Sequence, residues 1–257
     1  MKRQFPIVHI DRIVERSPNP RDRGTYALAD LQRLVSLLAE TGATTPSTPF
    51  LNAGFVAGES LDVPFLFALS DPGLRSIANW WEALTPTGFA SLLFCASSTL
   101  DDPETISPRD FPLLTGAGVS VVSRGVSGDP LVGLNVDRLR SELAESRERL
   151  SAALGFEVRA LAPAPTPEGR AIDGLVVREA RRAGYRLFFE PGGVTEIEGP
   201  TEPRTLAYRT VRPADTPESL RDWILGQSLA RTSMRLRDLL SKPKEFLERW
   251  APSTPRD

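Results

Sequence analysis

The sequence predicts an α/β protein: a parallel sheet with helices packed outside it. Three observations carry this. Continuous apolar runs such as Val63-Pro64-Phe65-Leu66-Phe67-Ala68-Leu69 recur, and a strand buried on both faces reads as an unbroken apolar run. These runs alternate with amphipathic stretches at spacings suited to βαβ units. Finally, 40% of the 257 residues are hydrophobic and 25% are charged, which is close to the soluble globular average and leaves enough apolar material for a full core. Barrel folds of about 200–250 residues are commonly one domain. The alternation fits an open sheet or one closed into a barrel.

The elements follow in order. Residues 5–10 read as a short strand. Residues 28–40 (LADLQRLVSLLAE) carry apolar side chains at helical spacing and close on the stop Thr41-Gly42. Residues 63–69 form a buried strand ending in the turn Ser70-Asp71-Pro72-Gly73. A helix is expected over 74–84, a strand over 90–96 (ASLLFCA), the end of a short helix over 111–116 and a strand over 119–123 (VSVVS). The loop Arg124-Gly125-Val126-Ser127-Gly128-Asp129-Pro130 comes next. A helix over 135–154 ends at Gly155, a strand covers 157–162, and a helix over 173–183 stops at Gly184. Strands over 186–189 and 206–211 complete the sheet. Residues 219–240 are mostly helical and 244–250 add a short helix, so a single domain (1–257) carries a C-terminal helical extension over about 219–250.

Composition excludes several classes. A formal net charge of -2, from 31 basic and 33 acidic side chains, gives no electrostatic reason to expect nucleic acid or an anionic membrane as partner. The basic stretches Arg178-Glu179-Ala180-Arg181-Arg182 and 231–237 read as solvated helix faces. Cys95 is the only cysteine, which excludes an intrachain disulfide and a zinc finger. No apolar run approaches the ~20 residues of a membrane helix. Met1-Lys2-Arg3-Gln4-Phe5-Pro6 leads into no apolar targeting core, so the expected location is the cytoplasm. The chain has one histidine, His9, so counting excludes any mechanism that needs two from this chain.

In βα barrels, active sites gather in the loops after the strands' C-terminal ends. Here those loops are residues 70–73, 96–102, 123–130, 163–170 and 190–195. Several segments, in order, resemble the polysaccharide deacetylases of the NodB-homology type, a group of carbohydrate esterases. IVHIDRIVERSPNPRDRGTYALADLQRLVSLLAETGA is similar to that family's opening strand, Pro-rich loop and helix. VPFLFALSDPGL stands where its TFDDG strand and turn belong, and GFASLLFCA resembles its ATFF strand. LLTGAGVSVVSRGVSGDPL resembles its histidine-bearing segment. LRSELAESRERLSAALGFEVRALAPAPTPEG and VVREARRAGYRLFF resemble the helix, Pro-rich loop and AGY strand that follow. The likeness runs from Phe5 to Leu229.

The resemblance implies a distorted (β/α)7 barrel that removes acetyl groups from sugar polymers. It implies a divalent metal such as zinc, held by one aspartate and two histidines, with a second aspartate as base. Carried over residue by residue, the base falls on Asp71. The metal positions fall on Pro72, Arg124 and Gly128, none of which has a donor atom for a cation. Arg159 is the nearest candidate for the family's arginine before its Pro-rich turn, and its late leucine-histidine motif has no counterpart. The expectation is therefore a chain with no metal cofactor of its own: a pseudoenzyme that binds a glycan or sugar, or scaffolds an active deacetylase in a homo- or hetero-oligomer. The alternative is a hydrolase of non-peptide C–N bonds in acetylated sugars, working by a metal-independent or partner-completed site. Candidate cleft residues are His9, Ser123, Asp129, Pro163 and Glu190.

Each candidate has a structural reading beside the functional one. Asp71 is either a base or a helix cap or turn residue, with capping favoured. Arg124 either binds a ligand's carboxylate or phosphate, or pairs with Asp71 across the vacated metal site; the pair is the favoured reading. His9 reaches the site mouth or serves as a hydrogen-bonded structural residue. Trp80 and Trp81 stack on sugar rings or fill the core. Asp101, Asp102 and Glu104 bind a hard cation or form a solvated loop. Asp71 with Glu190 makes a conceivable glycosidase pair. Gly125-Val126-Ser127-Gly128 lacks the spacing of a nucleophile elbow, and any serine triad has to use His9.

Overall fold

Side chains alternate across a strand, so one strand can feed two apolar layers. The computed structural model, which describes residues 3–16, 22–45, 65–193, 195–197 and 204–226, is built on this rule. Its elements are β1 (Arg3–Phe5), β2 (Ile7–Ile10), β3 (Arg12–Val14), β4 (Thr25–Ala27), α1 (Leu28–Glu40), β5 (Leu66–Leu69) and α2 (Leu74–Leu84). There follow β6 (Ser91–Cys95), α3 (Phe111–Gly116), β7 (Val119–Ser123), α4 (Val136–Leu154), β8 (Ala160–Leu161), α5 (Gly174–Ala183), β9 (Leu187–Pro191), β10 (Thr195–Ile197) and β11 (Arg204–Thr210). Seven strands close into a parallel barrel in the order β2-β5-β6-β7-β8-β9-β11, and β11 returns to β2 with Thr210 opposite His9. The pattern of elements leaves open and closed sheets equivalent, because closure depends on strand tilt and stagger; this chain is closed.

Ile7, Ala68, Phe94, Val122, Phe189 and Tyr208 belong to the cluster that fills the lumen. Val8, Phe67, Leu93, Val121 and Phe188 point the other way, into a second cluster under the helices. Helix α1 supplies Leu31, Leu34, Val35 and Leu38 to that outer layer, the expected helical spacing. Asn135 opens α4 by accepting from Arg138 N at 2.9 Å, and Asp173 opens α5 by accepting from Val176 N at 2.8 Å. Both helices stop at their predicted glycines.

Some expectations change. The strand expected over 5–10 is two strands, because Pro6 has no N–H to give a ladder; its carbonyl accepts from Leu66 N at 3.1 Å. The strand expected over 157–162 shrinks to Ala160–Leu161. Its start is committed elsewhere: Val158 N donates to Ser151 Oγ (2.9 Å) and Val158 O accepts from Arg147 Nε (3.1 Å). Two small pairings lie outside the barrel, β3 with β4 (parallel) and β1 with β10 (antiparallel). Arg178 and Arg182 are more than a solvated face. With Arg140 they grip the buried Glu179 at 3.0, 2.8 and 2.9 Å, tying α5 to α4. Hydrogen bonds from Arg140 first, then Arg178, pull the Glu179 carboxyl down to about 2. Residues 217–226 are helical; the rest of the expected C-terminal extension, and residues 63–64, lie outside the described residues. No helix among the described residues is long and apolar enough to cross a membrane.

Candidate functional site at the barrel mouth

Residues at the C-terminal ends of the strands, on the inward side, converge at one mouth. His9, two places beyond the lumen residue Ile7, is 3% exposed and packs against Phe94 and Tyr208, with ring centroids 5.3 and 4.6 Å away. Its Nδ1 lies 3.0 Å from Thr210 Oγ1 and its Nε2 lies 2.6 Å from Ser70 Oγ. Burial first, then the charge of Arg124, pushes the imidazole down to about 3. The unfolded state takes up a proton near pH 6.5 that the folded state refuses. Stability contributed by neutral His9 is therefore full above pH 6.5 and is lost as pH falls toward about 3. An NMR titration of this single imidazole is expected to show no protonation between pH 8 and about 5; a midpoint near 6.5 would overturn the buried, neutral assignment.

Arg124 follows β7 on the same inward side as Val122. Its backbone N–H donates to Cys95 O at 2.9 Å, but its guanidinium has no hydrogen bond or ion pair among the described residues. Its field reaches His9, Asp11, Cys95 and Tyr208. Asp11 does not pair with it; Asp11 Oδ1 lies 3.6 Å from His9 Nε2. Burial raises the Asp11 carboxyl, opposed by Arg124 and Arg12. Burial likewise raises the Tyr208 phenol, so it stays protonated, and pushes the Cys95 thiol up to about 11, which removes it as a thiolate nucleophile.

The loop that presents Arg124 is held from behind. Glu142 of α4, 7% exposed, accepts from Val126 N at 2.7 Å and Ser127 N at 3.0 Å. At Gly128 the backbone is left-handed (φ +80°), and a Cβ there would sit 3.1 Å from the Ala96 Cβ. Both features favour glycine and would strain any larger residue on this backbone.

Asp71 is a turn residue. Its Oδ1 accepts from Gly73 N (2.9 Å) and its Oδ2 from Ser76 Oγ (2.7 Å). Its cationic partner is Arg12 at 3.5 Å, not Arg124, which corrects the expected pair. Arg12 opens β3, one residue past the end of β2, and reaches the 70–73 turn from there. Pro72 O accepts from Ile106 N at 3.0 Å, stitching the turn to the acidic loop. In that loop Asp101 pairs with Arg149 (2.6 Å) and Asp102 caps Glu104 N (2.9 Å), so its carboxylates are dispersed.

Other candidates fall away from the mouth. Ser123 points outward, where its hydroxyl meets Ser146 Oγ (3.2 Å) and accepts from Tyr185 OH (3.0 Å). Glu190 is the exception: it alternates with the lumen residues Leu187 and Phe189 along β9, yet its charge reaches the Tyr208 phenol, while the cationic partner of Asp71 is Arg12. Pro163 is buried and Asp129 is exposed. Arg159 pairs with Glu157 (3.0 Å) at the N-terminal end of β8, away from the mouth. Trp80 is core, 2% exposed and donating to Ser91 Oγ at 3.0 Å; Trp81 packs partly buried against the same cluster.

No family model matches the sequence, and no curated protein matches it either. Solved structures do. The deacetylase PplD of Streptococcus pyogenes, solved in complex with acetate, aligns over 87% of this chain and 99% of its own with a TM-score of 0.72 at 16% identity. A polysaccharide deacetylase from Bacillus cereus aligns over 87% and 69% of the two chains (TM-score 0.71, 17% identity). A de-N-acetylase from Aggregatibacter actinomycetemcomitans covers 86% and 99% (TM-score 0.70, 12% identity). The chain has the polysaccharide deacetylase fold. At these identities the likeness is one of fold, and chemistry has to be read from the site.

The side chains at the positions to which the resemblance assigns the metal do not suit a divalent ion. At the positions the resemblance assigns to ligands, Arg124 carries a fixed positive charge and Gly128 has no side chain. Both Asp71 oxygens are engaged within their own turn. Among the described residues, no three His, Cys, Asp or Glu side chains group to hold a metal ion. Sequence reading missed Ser70, Thr210, Tyr208, Asp11, Arg12 and Glu142. Two signals were present. The loop after the first barrel strand contains Asp11 and Arg12, and Tyr208 and Thr210 share one face of a late strand.

Proposed function

We propose that this protein is a glycan-binding pseudoenzyme of the polysaccharide deacetylase fold, without metal-dependent de-N-acetylase activity. The observation that carries this reading is the Arg124 guanidinium at the mouth, unpaired among the described residues, where the resemblance puts a metal-binding histidine. A cation there repels a divalent ion and attracts polar or anionic sugar substituents. Three measurements on the purified chain test it. The expected results are no equimolar zinc or nickel after loading and dialysis, no acetate released from N-acetylated oligosaccharides, and saturable oligosaccharide binding. One retained metal equivalent, or acetate release, overturns the pseudoenzyme; absent binding overturns the glycan ligand.

One contact favours a second reading, a metal-independent hydrolase: His9 Nε2 and Ser70 Oγ are 2.6 Å apart, as in a base and nucleophile. The environment of His9 works against it. A base held at about 3 lies roughly four units below neutrality, and protonating it at pH 7 costs about 5 kcal/mol. That adds about four orders of magnitude to the barrier. Release of acetate from O-acetylated sugars that disappears in Ser70→Ala would reverse this ranking.

A further inference from the structure

We infer that the barrel mouth recognises a carboxylate-bearing sugar, a uronic-acid type of residue, through the Arg124 guanidinium and the Tyr208 hydroxyl. This rests on the glycan-binding reading and names its substrate class. Arg124 is half-buried and unpaired among the described residues. A guanidinium is charged at every physiological pH, and its planar fork fits a carboxylate with two parallel hydrogen bonds. Leaving such a cation partly desolvated and unpaired is unfavourable, which an anionic ligand relieves.

The neighbours select the kind of anion. His9 is neutral, and its two nitrogens face Ser70 and Thr210, so it adds no charge. Asp11 contributes a nearby carboxyl that Arg124 does not neutralise in an ion pair. With Arg124 and Arg12 as cations and Asp11 and Glu190 as acids within reach, the net field is weak, suited to a monoanion and poorly suited to a phosphate dianion. Tyr208 supplies the second donor. Its ring is fixed between His9 and Phe94, with centroids 4.6 and 5.5 Å away. Its hydroxyl makes no hydrogen bond among the described residues, and the charges of Arg124, Asp11 and Glu190 all reach it.

The test is an NMR titration of the full chain with sodium glucuronate, its neutral methyl ester, glucose and inorganic phosphate. Glucuronate is expected to saturate shifts at Tyr208 and around Arg124, at least tenfold more tightly than the ester or phosphate. Arg124→Met is expected to weaken glucuronate by tenfold or more. Arg124→Lys, which keeps the charge but loses the fork, should fall between, and Tyr208→Phe should weaken binding a few-fold. Amide exchange in α1 as slow as in wild type shows that each variant is folded. Equal binding of glucuronate and its ester, or an Arg124→Met variant that titrates like wild type, overturns the carboxylate assignment while leaving glycan binding standing. Tighter phosphate binding overturns it in favour of a general anion site. No saturation by any probe overturns both.

Discussion

Phe94→Ala is expected to destabilise the protein by about 3–5 kcal/mol, the usual range for truncating a fully buried aromatic. Phe94 is 1% exposed at the top of the lumen, and its ring touches those of His9, Phe189 and Tyr208 at 5.3, 5.5 and 5.5 Å. A closed barrel holds its wall by backbone hydrogen bonds on both sides of every strand, so the wall cannot collapse into the cavity. Water then enters beside His9, and the desolvation that keeps the imidazole near 3 weakens. Denaturant unfolding and the titration of this single histidine check both halves together. A loss below about 1.5 kcal/mol, inside the range of volume-conserving core swaps, would mean the lumen repacks around the gap.

Glu142→Ala is expected to cost about 2–4 kcal/mol, because two loop N–H donors lose a buried charged acceptor and such orphans cost about 1–3 kcal/mol each. Those donors are Val126 and Ser127, immediately after Arg124 and Gly125. Glu142→Gln keeps an acceptor oxygen without the charge and should lose about half as much. In the alanine variant, amide exchange at Val126 and Ser127 should accelerate, while amides of α1 change only with global stability. Exchange that stays slow at those two sites would mean the loop is held by something other than Glu142.

Helix bounds were the most legible part of this chain. α1, α4 and α5 end where their stop residues put them, at Thr41, Gly155 and Gly184. The lumen was less legible. Val119-Ser120-Val121-Val122-Ser123 is buried throughout, so composition does not say which side Ser123 faces; only the pairing of β7 with β6 and β8 settles it. Asp71 shows a second limit. Its oxygens serve Gly73 and Ser76, as its turn reading expects, but its cation comes from Arg12 at the start of β3. That choice depends on distances between segments about sixty residues apart in the chain, which no local pattern encodes. Glu142 was invisible for a simpler reason: an acidic residue in a charged amphipathic helix looks solvated until the loop packed on it is seen.

The return of β11 to β2 has a consequence for how the molecule comes to exist. Arg209 and Thr210 pair with Val8 and His9, partners about two hundred residues apart in the chain. Until β11 leaves the ribosome, β2 and β9 are both open edges that invite pairing with other chains. Contacts this distant in sequence slow folding and lengthen exposure of those edges. The Thr210 hydroxyl that meets His9 arrives with the same strand. The mouth therefore assembles in the step that seals the barrel, and a chain that stalls before it has neither a finished wall nor a binding site.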